Sequence, residues 1–260
     1  MKNIKIVTNK DKDIGMKKTE EVLQILNKHN CNVSLTDNTI NELKADLIIC
    51  LGGDGTIINT ARKAARFDIP ILGINLGRVG YTAELEPEEI CLIDKIFTNE
   101  YTYEYRMMLA VNDEYIALND AVLSKGMTPH IAEFELKCDG KLLTHYRADG
   151  LIVATPTGST AYSMAAGGPV IDPKLDCFCV TPICSHSLNA KPLIFAPESV
   201  LEIINLYRGK SDMYLTVDGN EIITLKYNSS VIITKSDITV KMLRIKKDSF
   251  YSILNKKMSE

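Results

Sequence analysis

Residues 50–56 read Cys-Leu-Gly-Gly-Asp-Gly-Thr and carry the clearest chemical potential of any segment in the chain. Glycines where a strand turns into a helix let the backbone approach a phosphate and direct its N–H groups at it. A carboxylate repels phosphate, so Asp54 at the centre of this turn suggests another role: holding a metal ion, or accepting a proton from a hydroxyl. The alternative is a tight turn in which Asp54 is the N-cap of the following helix.

Two polar residues, Asn119 and Asp120, interrupt an otherwise apolar, β-like run between Ile116 and Leu123. Burying an amide and a carboxylate is costly unless they bind something. Side by side, these groups suit ribose hydroxyls or the edge of an adenine ring. The alternative is that the pair forms a β-bulge or a turn.

A third segment begins at Arg147 and Asp149, passes through a short apolar run and enters a loop rich in Thr, Gly and Ser. A short helix follows, with Ser159 or Thr160 placed to cap it. Small hydroxyl side chains and N–H groups at a helix start suit phosphate or ribose oxygens. Tyr162 could stack on a base, and Arg147 could pair with Asp149 or with a ligand phosphate.

The glycine-rich segment 75–81 also follows an apolar run. It lacks the dinucleotide fingerprint Gly-x-Gly-x-x-Gly, so it is either a second turn at a ligand site or a simple connection. Tyr81 could stack on a flat ring or belong to the core.

The elements that must position these residues change character along the chain. The first hundred residues alternate predicted strands (3–8, 31–35, 46–51, 71–74) with predicted helices (16–28, 56–66, 87–99). This alternation favours an α/β domain with an open, mainly parallel sheet, spanning about residues 1–100. Ligands of such sheets bind beyond the carboxyl ends of the strands. The turns after residues 51 and 74 should therefore meet at that edge.

From Tyr101 the pattern is dominated by short β-like runs separated by turn signals such as Asp139-Gly140 and Asp218-Gly219. The runs are 101–110, 115–124, 131–138, 141–146, 150–154, 193–195, 200–206, 213–217, 221–226, 230–234 and 238–245. They predict a C-terminal, all-β-rich sandwich or barrel-like domain over residues 101–245, interrupted by a helix near 160–166. A last helix, 248–258, follows the plausible cap Asp248-Ser249, and the segment 246–260 is expected to pack back on the first domain.

Composition narrows the function classes. The 260-residue chain is 45% hydrophobic and has a formal net charge of −3, so no basic field indicates nucleic-acid binding. The sequence contains no run of about 18 apolar residues, so no membrane-spanning helix is predicted. The N-terminus lacks the apolar stretch of a signal peptide. We therefore expect a cytoplasmic protein. Seven scattered cysteines favour reduced thiols, and Cys177 and Cys179 are better interpreted as core residues than as metal ligands.

The motifs together resemble the NAD kinase family, in family order and spacing over nearly the whole chain. The Gly-Gly-Asp-Gly element alone is shared with diacylglycerol and sphingosine kinases and with phosphofructokinases, whereas Thr155–Tyr162 (Thr-Pro-Thr-Gly-Ser-Thr-Ala-Tyr) is far more specific. The other matching segments are Asn75-Leu76-Gly77, Gly80-Tyr81, Glu84, Asn119-Asp120, Asp149-Gly150 and Gly167-Gly168-Pro169.

The resemblance implies an N-terminal α/β domain, a C-terminal β-rich domain and a site between them. It implies transfer of the γ-phosphoryl group of ATP, or of a polyphosphate, to the 2′-hydroxyl of the adenosine ribose of NAD. A divalent cation, Mg²⁺ or Mn²⁺, and a homodimer or homotetramer are also implied by the resemblance.

The resemblance assigns residues as well. Asp54 takes the position of the family's motif aspartate and is the expected catalytic residue. Positions matching nucleotide-binding residues are Gly55, Tyr81, Asn119, Asp120, His130, Arg147, Asp149, Thr160, Ala161, Tyr162, Ser163, Met164, Ala165, Asp218 and Asn220. Those expected in the phosphate loop are Gly52, Gly53, Thr56, Arg62, Gly77 and Gly80. Asn59 stands where many members have a basic residue, so Arg62, one turn further on, is expected to contact the triphosphate.

Two other functions stay open at this stage. A lipid kinase could share Gly-Gly-Asp-Gly, but it would need an apolar mouth or a basic membrane-facing patch, and the sequence shows no clear one. A module that senses NAD without turnover could share the nucleotide-binding residues, but the intact Asp54 argues against it.

Overall fold

Two units make up the chain, one formed by Met1–Arg106 together with Ile238–Glu260 and the other by Met107–Asp237. The computed structural model describes residues 1–36, 44–77, 80–126, 130–187, 190–209, 212–247 and 250–258. Within these ranges no helix is both long and apolar enough to cross a membrane.

The strands are β1 (Asn3–Thr8), β2 (Asn32–Thr36), β3 (Leu47–Gly52), β4 (Ile71–Asn75), β5 (Thr102–Arg106), β6 (Leu109–Val111), β7 (Tyr115–Ala117), β8 (Asp120–Lys125), β9 (Ala132–Cys138), β10 (Lys141–Ala148), β11 (Gly150–Ala154), β12 (Phe178–Ile183), β13 (Leu193–Phe195), β14 (Leu201–Asn205), β15 (Met213–Val217), β16 (Glu221–Leu225), β17 (Ser230–Lys235) and β18 (Val240–Arg244). The α-helices are α1 (Lys17–Lys28), α2 (Asp54–Ala65), α3 (Asp94–Phe97), α4 (Tyr162–Ala165) and α5 (Phe250–Met258). Short 3₁₀ helices cover Ile14–Met16, Pro87–Ile93 and Gly158–Thr160.

The first unit contains a six-stranded sheet in the order β2-β1-β3-β4-β18-β5. Neighbouring strands from β2 to β18 run parallel, and β5 is antiparallel to β18. Every residue of β3 is buried, as expected for a parallel strand covered on both faces. The predicted open, mainly parallel sheet is confirmed, and it brings the carboxyl ends of β1, β3 and β4 to one edge.

The position of two strands differs from the prediction. The sequence pattern assigns 101–110 and 238–245 to the β-rich domain, whereas β5 and β18 belong to the sheet of the first unit. β18 pairs with β5 along its whole length, and the Arg244 guanidinium at its end donates to Glu84 at 3.0 Å and to Glu104 at 3.1 Å. A run of β-forming residues does not specify which sheet it will join. The neighbouring strands of β5 and β18 therefore could not be predicted from the sequence.

The described residues of the second unit form two six-stranded sheets, ordered β10-β9-β14-β17-β6-β7 and β13-β12-β11-β8-β15-β16. All neighbouring strands in both sheets are antiparallel. Side chains from both sheets, such as Phe134 and Leu136 in one and Phe178 and Leu215 in the other, form one buried core. The predicted β-rich second domain is therefore a sandwich.

Some elements of the chain differ from the sequence-based expectation. β12 was not predicted, although it lies between β11 and β13; its Cys179 and Pro182 weaken the β signal. The predicted helix 87–99 is a 3₁₀ helix followed by the single turn of α3. Its buried residues Ile90, Ile93 and Ile96 recur every three positions, which matches the three residues per turn of a 3₁₀ helix.

Two minor predictions can also be placed. Cys177 and Cys179 are buried beside Ile171 in an apolar cluster, in line with the core interpretation. The cap predicted at residues 248 and 249 lies outside the described residues, and α5 is grouped with the first unit.

Candidate functional site

The turn between β3 and α2 contains Gly52, a glycine with no room for a side chain. Gly53 is the N-cap of α2, in an extended conformation. A Cβ added to Gly52 would lie 2.6 Å from the Cβ of Thr56, so the residue must be glycine for the helix to start here. The amide of Asn9, at the end of β1, donates to the Thr56 hydroxyl at 3.3 Å. The turn is thereby fixed to the neighbouring strand.

Asp54 is the first residue of α2, and its carboxylate faces the loop that follows β4. The backbone N–H of Tyr81 donates to Oδ2 at 3.0 Å, and that of Thr82 donates to Oδ1 at 3.2 Å. Any side chain at Gly80 would collide with this carboxylate. The two predicted turns therefore do meet, and the alternative of Asp54 as N-cap is wrong, because the cap is Gly53 and no side chain caps the helix.

This arrangement leaves Asp54 chemically available. Each carboxylate oxygen has two lone-pair directions, and one backbone N–H uses one direction on each oxygen. The remaining directions can accept the proton of a hydroxyl. Two N–H groups from a loop anchored to the sheet also fix the orientation of the carboxylate, as a general base requires.

The structure places a cation at this turn that the sequence analysis missed. The ammonium of Lys12 rests against two glycines: a Cβ on Gly77 would lie 3.0 Å from its Nζ, and one on Gly53 would collide with it. Arg62, the expected cation, is eight residues beyond Asp54 on α2 and only 8% exposed, about 12 Å of helix rise away. Lys12 is 41 positions from Gly53, so no spacing rule could have found it.

In the second unit, Asp218 supports the polar pair at the start of β8. Its carboxylate accepts backbone N–H groups from Leu118 at 2.8 Å, Asn119 at 2.8 Å and Asp120 at 3.1 Å. In return the Asp218 N–H donates to the Asp120 carbonyl at 2.9 Å. Asp218 was predicted to bind nucleotide, but three of its acceptor positions hold the backbone that carries Asn119 and Asp120.

The Thr-Pro-Thr-Gly-Ser-Thr-Ala-Tyr loop supports the same backbone from the other side. The Thr155 hydroxyl donates to the Leu118 carbonyl at 2.6 Å, and the Thr155 N–H donates to the Asn119 carbonyl at 2.8 Å. A side chain at Gly158 would collide with that Asn119 carbonyl. The specific family segment therefore shapes the Asn119-Asp120 turn.

The hydroxyls of this loop do not cap a helix as predicted. The Ser159 hydroxyl donates to the Pro156 carbonyl at 2.7 Å, and the Thr160 hydroxyl donates to the Thr157 carbonyl at 3.2 Å. The N-cap of α4 is Ala161, and no side chain caps that helix. The prediction failed because the loop first forms a 3₁₀ turn, whose carbonyls take the hydroxyl donors.

Asp120 is a buried acid facing an open cavity. It is only 6% exposed, and its carboxylate accepts no hydrogen bond from the residues that the structure describes. Burial, and secondarily the charge of Asp218, raise the pKa of Asp120 to about 7. The cavity has a volume of about 330 Å³, and its lining includes Asn119, Asp120, Ala161, Tyr162, Thr216 and Asp218.

A buried carboxyl group without a partner is the feature expected of a ligand-binding position. The exposed ring of Tyr162 at the cavity rim is available for stacking. Thr216, which the sequence analysis did not single out, comes to the cavity because β15 pairs with β8 with Thr216 opposite Val122.

Other predicted residues lie away from this cavity's lining. Arg147 pairs with Glu133 at 3.3 Å and Asp149 with Lys125 at 2.6 Å. The first of the two alternatives for Arg147, a pair with Asp149, is therefore wrong, and the contact with a ligand phosphate stays a prediction. Arg147 pairs with Glu133 because the two residues lie directly opposite each other in the antiparallel β9–β10 pair.

The remaining predicted positions have varied surroundings. His130 is exposed. The buried Ser163 hydroxyl shares a 2.9 Å hydrogen bond with Thr181, while Met164 and Ala165 are on α4, with Met164 exposed. The Asn220 amide donates to the Asp218 carbonyl at 2.9 Å, so it stabilises the turn after β15.

Comparison with known proteins gives a consistent result. Residues 14–101 match the family model of the ATP-NAD kinase N-terminal domain, and residues 118–245 match that of the ATP-NAD kinase C-terminal domain. The chain is 45% identical over 226 residues to the NAD kinase of Carboxydothermus hydrogenoformans, covering 84% of this chain and 80% of that protein. It is 38% identical to the NAD kinase of Clostridium botulinum, covering 100% and 97%.

Solved structures agree with these matches. The crystal structure of an NAD kinase from Archaeoglobus fulgidus in complex with ATP superposes with a TM-score of 0.82 at 27% identity, over 99% of this chain and 98% of that one. A yeast NADH kinase complexed with NADH gives a TM-score of 0.86 at 23% identity, over 100% and 88%, a likeness of fold.

Proposed function

The chain belongs to the NAD kinase family, and we propose that it transfers the γ-phosphoryl group of ATP to the 2′-hydroxyl of the adenosine ribose of NAD. The observation that carries this proposal is the Asp54 carboxylate, held by two backbone N–H groups with acceptor positions to spare. The family matches favour this activity over a lipid kinase, and the presence of Asp54 favours an enzyme over a sensing module.

In the proposed reaction Asp54 orients the 2′-hydroxyl and accepts its proton. A bond forms between the 2′-oxygen and the γ-phosphorus, while the bond from the γ-phosphorus to the β–γ bridging oxygen breaks. ADP leaves with that oxygen and its electron pair, and NADP is formed. Phosphoryl transfer requires mainly positioning and charge stabilisation, and a positioned base contributes about 10²–10⁴-fold in rate.

The nucleoside of NAD is assigned to the cavity of the second unit. The Asn119 amide can both donate and accept hydrogen bonds, which suits an adenine edge, and the Asp120 carboxylate can accept from ribose hydroxyls. Tyr162 offers a ring for stacking at the rim. Asp218 and Thr155 hold the backbone of the pair in place.

The divalent cation belongs to the substrate in this proposal. Among the described residues no group of three or more His, Cys, Asp or Glu side chains could hold a metal ion. Mg²⁺ is commonly bound through substrate phosphates with few protein ligands. We therefore assign Mg²⁺ or Mn²⁺ to the ATP complex, where it neutralises triphosphate charge.

The proposal also covers the localisation and the oligomeric state of the enzyme. We expect a cytoplasmic homodimer or homotetramer, on the basis of the family resemblance. Light scattering of the purified protein measures the oligomer directly, and a monomeric mass would contradict the expectation.

The activity is tested by incubating the purified protein with Mg-ATP and NAD and measuring NADP. NADP should form with the wild type and fall sharply with Asp54→Asn as the matched control. Replacing ATP with inorganic polyphosphate tests the donor. A folded wild-type protein that makes no NADP from either donor would overturn the proposal.

A further inference from the structure

Lys12 is an exposed residue whose backbone is held at the edge of the first unit's sheet. Its backbone N–H donates to the Asn9 carbonyl at 3.1 Å and to the Asn9 side-chain oxygen at 3.3 Å. Asn9 in turn donates from its backbone to the Leu51 carbonyl at 2.9 Å and from its amide to Thr56. The loop after β1 is thus fastened to the turn between β3 and α2.

The Lys12 ammonium lies on glycine backbone instead of a carboxylate. It rests against Gly53 and Gly77, neither of which has a side chain to displace it. Within the described ranges no Asp or Glu lies within ion-pair distance of Nζ, and the nearby Asp54 carboxylate is directed at Tyr81 and Thr82.

The ammonium also lies beside the start of α2, a helix of 12 residues. A helix N-terminus carries a partial positive charge and unpaired N–H groups. Two positive groups side by side repel each other, and an anion between them removes that repulsion. The combination of a lysine, a glycine turn and a helix N-terminus therefore selects a polyanion such as a phosphate chain.

We propose that Lys12 binds the triphosphate of the donor ATP and holds its γ-phosphoryl group for transfer. This inference rests on the proposed function. The phosphorus under attack must lie beside the hydroxyl that Asp54 orients, and Gly53, on which Lys12 rests, is the residue directly before Asp54. Lys12 is thus assigned to the donor phosphates, and the NAD nucleoside to Asn119 and Asp120.

In this proposal Lys12 also acts during the transfer step itself. Negative charge grows on the bridging oxygen as the bond to the γ-phosphorus breaks, and an adjacent ammonium stabilises that charge. The proton of the 2′-hydroxyl goes to Asp54, so Lys12 takes part in no proton transfer. Its loss should therefore affect both the binding of ATP and the rate of transfer.

The test compares Lys12→Met with Lys17→Met. Lys17 is an exposed lysine at the start of α1, and its substitution makes the same charge change a few residues away. A non-hydrolysable ATP analogue with Mg²⁺ is titrated in the presence of saturating NAD, so that the acceptor site is filled. NAD affinity and steady-state KM and kcat are measured separately.

Lys12→Met should raise the Kd of the analogue and the KM for ATP by about 10- to 100-fold, the effect of one charge-assisted hydrogen bond. Lys17→Met should stay within about twofold, and NAD affinity should be unchanged in both. Lys12→Arg should recover part of the loss, because it restores the charge but not the shape.

Unchanged ATP affinity in folded Lys12→Met would overturn the proposal, and so would a loss confined to NAD, which would move Lys12 to the acceptor. Failure of the proposed function looks different. In that case the wild type forms no NADP, although it binds the ATP analogue and Lys12→Met weakens that binding.

Discussion

Asp54 in the first unit and Asp120 in the second are both acids at turns shaped by glycine, but their surroundings are opposite. Asp54 is half-buried and receives one backbone N–H on each oxygen. Asp120 is almost fully buried and receives none from the described residues, because the adjacent N–H groups are bound by Asp218. Burial raises the pKa of Asp120 to about 7.

The difference suggests that the two carboxylates are suited to different tasks, proton acceptance at Asp54 and ligand binding at Asp120. Backbone donors fix Asp54 in direction while leaving lone pairs for a hydroxyl, as a proton acceptor needs. Asp120 has no hydrogen-bond donor among the described residues and opens onto the cavity, so its oxygens are available to ribose hydroxyls. We therefore expect substitutions at Asp54 to affect turnover, and those at Asp120 to affect affinity and stability.

The largest expected effect comes from Asp54→Asn. The variant should fold, since the side chain is nearly isosteric, but its turnover should fall by at least about a hundredfold, because an amide is not a general base. NAD affinity should change much less. Measuring kcat at saturating NAD and ATP checks this, and turnover within a few-fold of wild type would remove Asp54 from the role of base.

Asp120→Ala should give the complementary result. Above pH 7, where Asp120 is ionised, loss of one charge-assisted hydrogen bond should weaken NAD binding by roughly 1.5–3 kcal/mol, while kcat at saturating NAD is less affected than in the Asp54 variant. Isothermal calorimetry with NAD gives the affinity directly. If affinity stays at the wild-type value in a folded protein, the pair at residues 119 and 120 is only a turn.

Asp218→Asn tests whether the support of this pair is structural. Asparagine tolerates the positive φ of 48° found here, but its NH₂ group would face a backbone N–H that now finds an oxygen. The free energy of unfolding should fall by about 1–3 kcal/mol, measured by urea denaturation. A variant as stable as wild type with weakened NAD binding would instead make Asp218 a direct ligand.

The last expected effect is a dependence of stability on pH. The folded protein keeps the Asp120 proton up to about pH 7, whereas an aspartic acid in an unfolded chain loses its proton near pH 3.9. The wild type therefore loses stability as pH rises from about 4 to 7 on account of this group. Because one pKa unit corresponds to about 1.4 kcal/mol, Asp120→Asn should be more stable than wild type by up to about 4 kcal/mol above pH 7, and this difference should disappear near pH 4.

Thermal unfolding of the two proteins across this range measures the difference. A constant gap between their stabilities from about pH 4 to about pH 8 would show that Asp120 does not titrate in the way its burial implies.

The sequence predicted what depends on local patterns. Alternating strand and helix signals identify the parallel sheet, and Gly-Gly-Asp-Gly identifies the turn where Asp54 lies. Sequence could not predict what depends on distant partners. Nothing near Lys12 in the chain indicates Gly53 and Gly77, and nothing near β18 indicates β4 and β5.

The role of Asp218 shows a second kind of limit. Its type and its place near Asn119 and Asp120 in the family pattern suggest a ligand contact, but its carboxylate is bound by three backbone N–H groups almost one hundred residues earlier. Residue identity indicates that an acid is needed. The hydrogen bonds reveal a supporting role that residue identity could not, and the nucleotide contact of Asp218 stays a prediction.

The place of β18 has a consequence for the order of events during synthesis. β18 lies between β4 and β5, yet it is made more than 130 residues after β5. While the ribosome is still translating the second unit, β4 presents an unpaired strand edge, which is prone to wrong pairing. The second unit is continuous from Met107 to Asp237 and can fold as it emerges. The first sheet can be completed only when the nascent chain is almost finished, so premature termination near residue 238 should leave a product that aggregates.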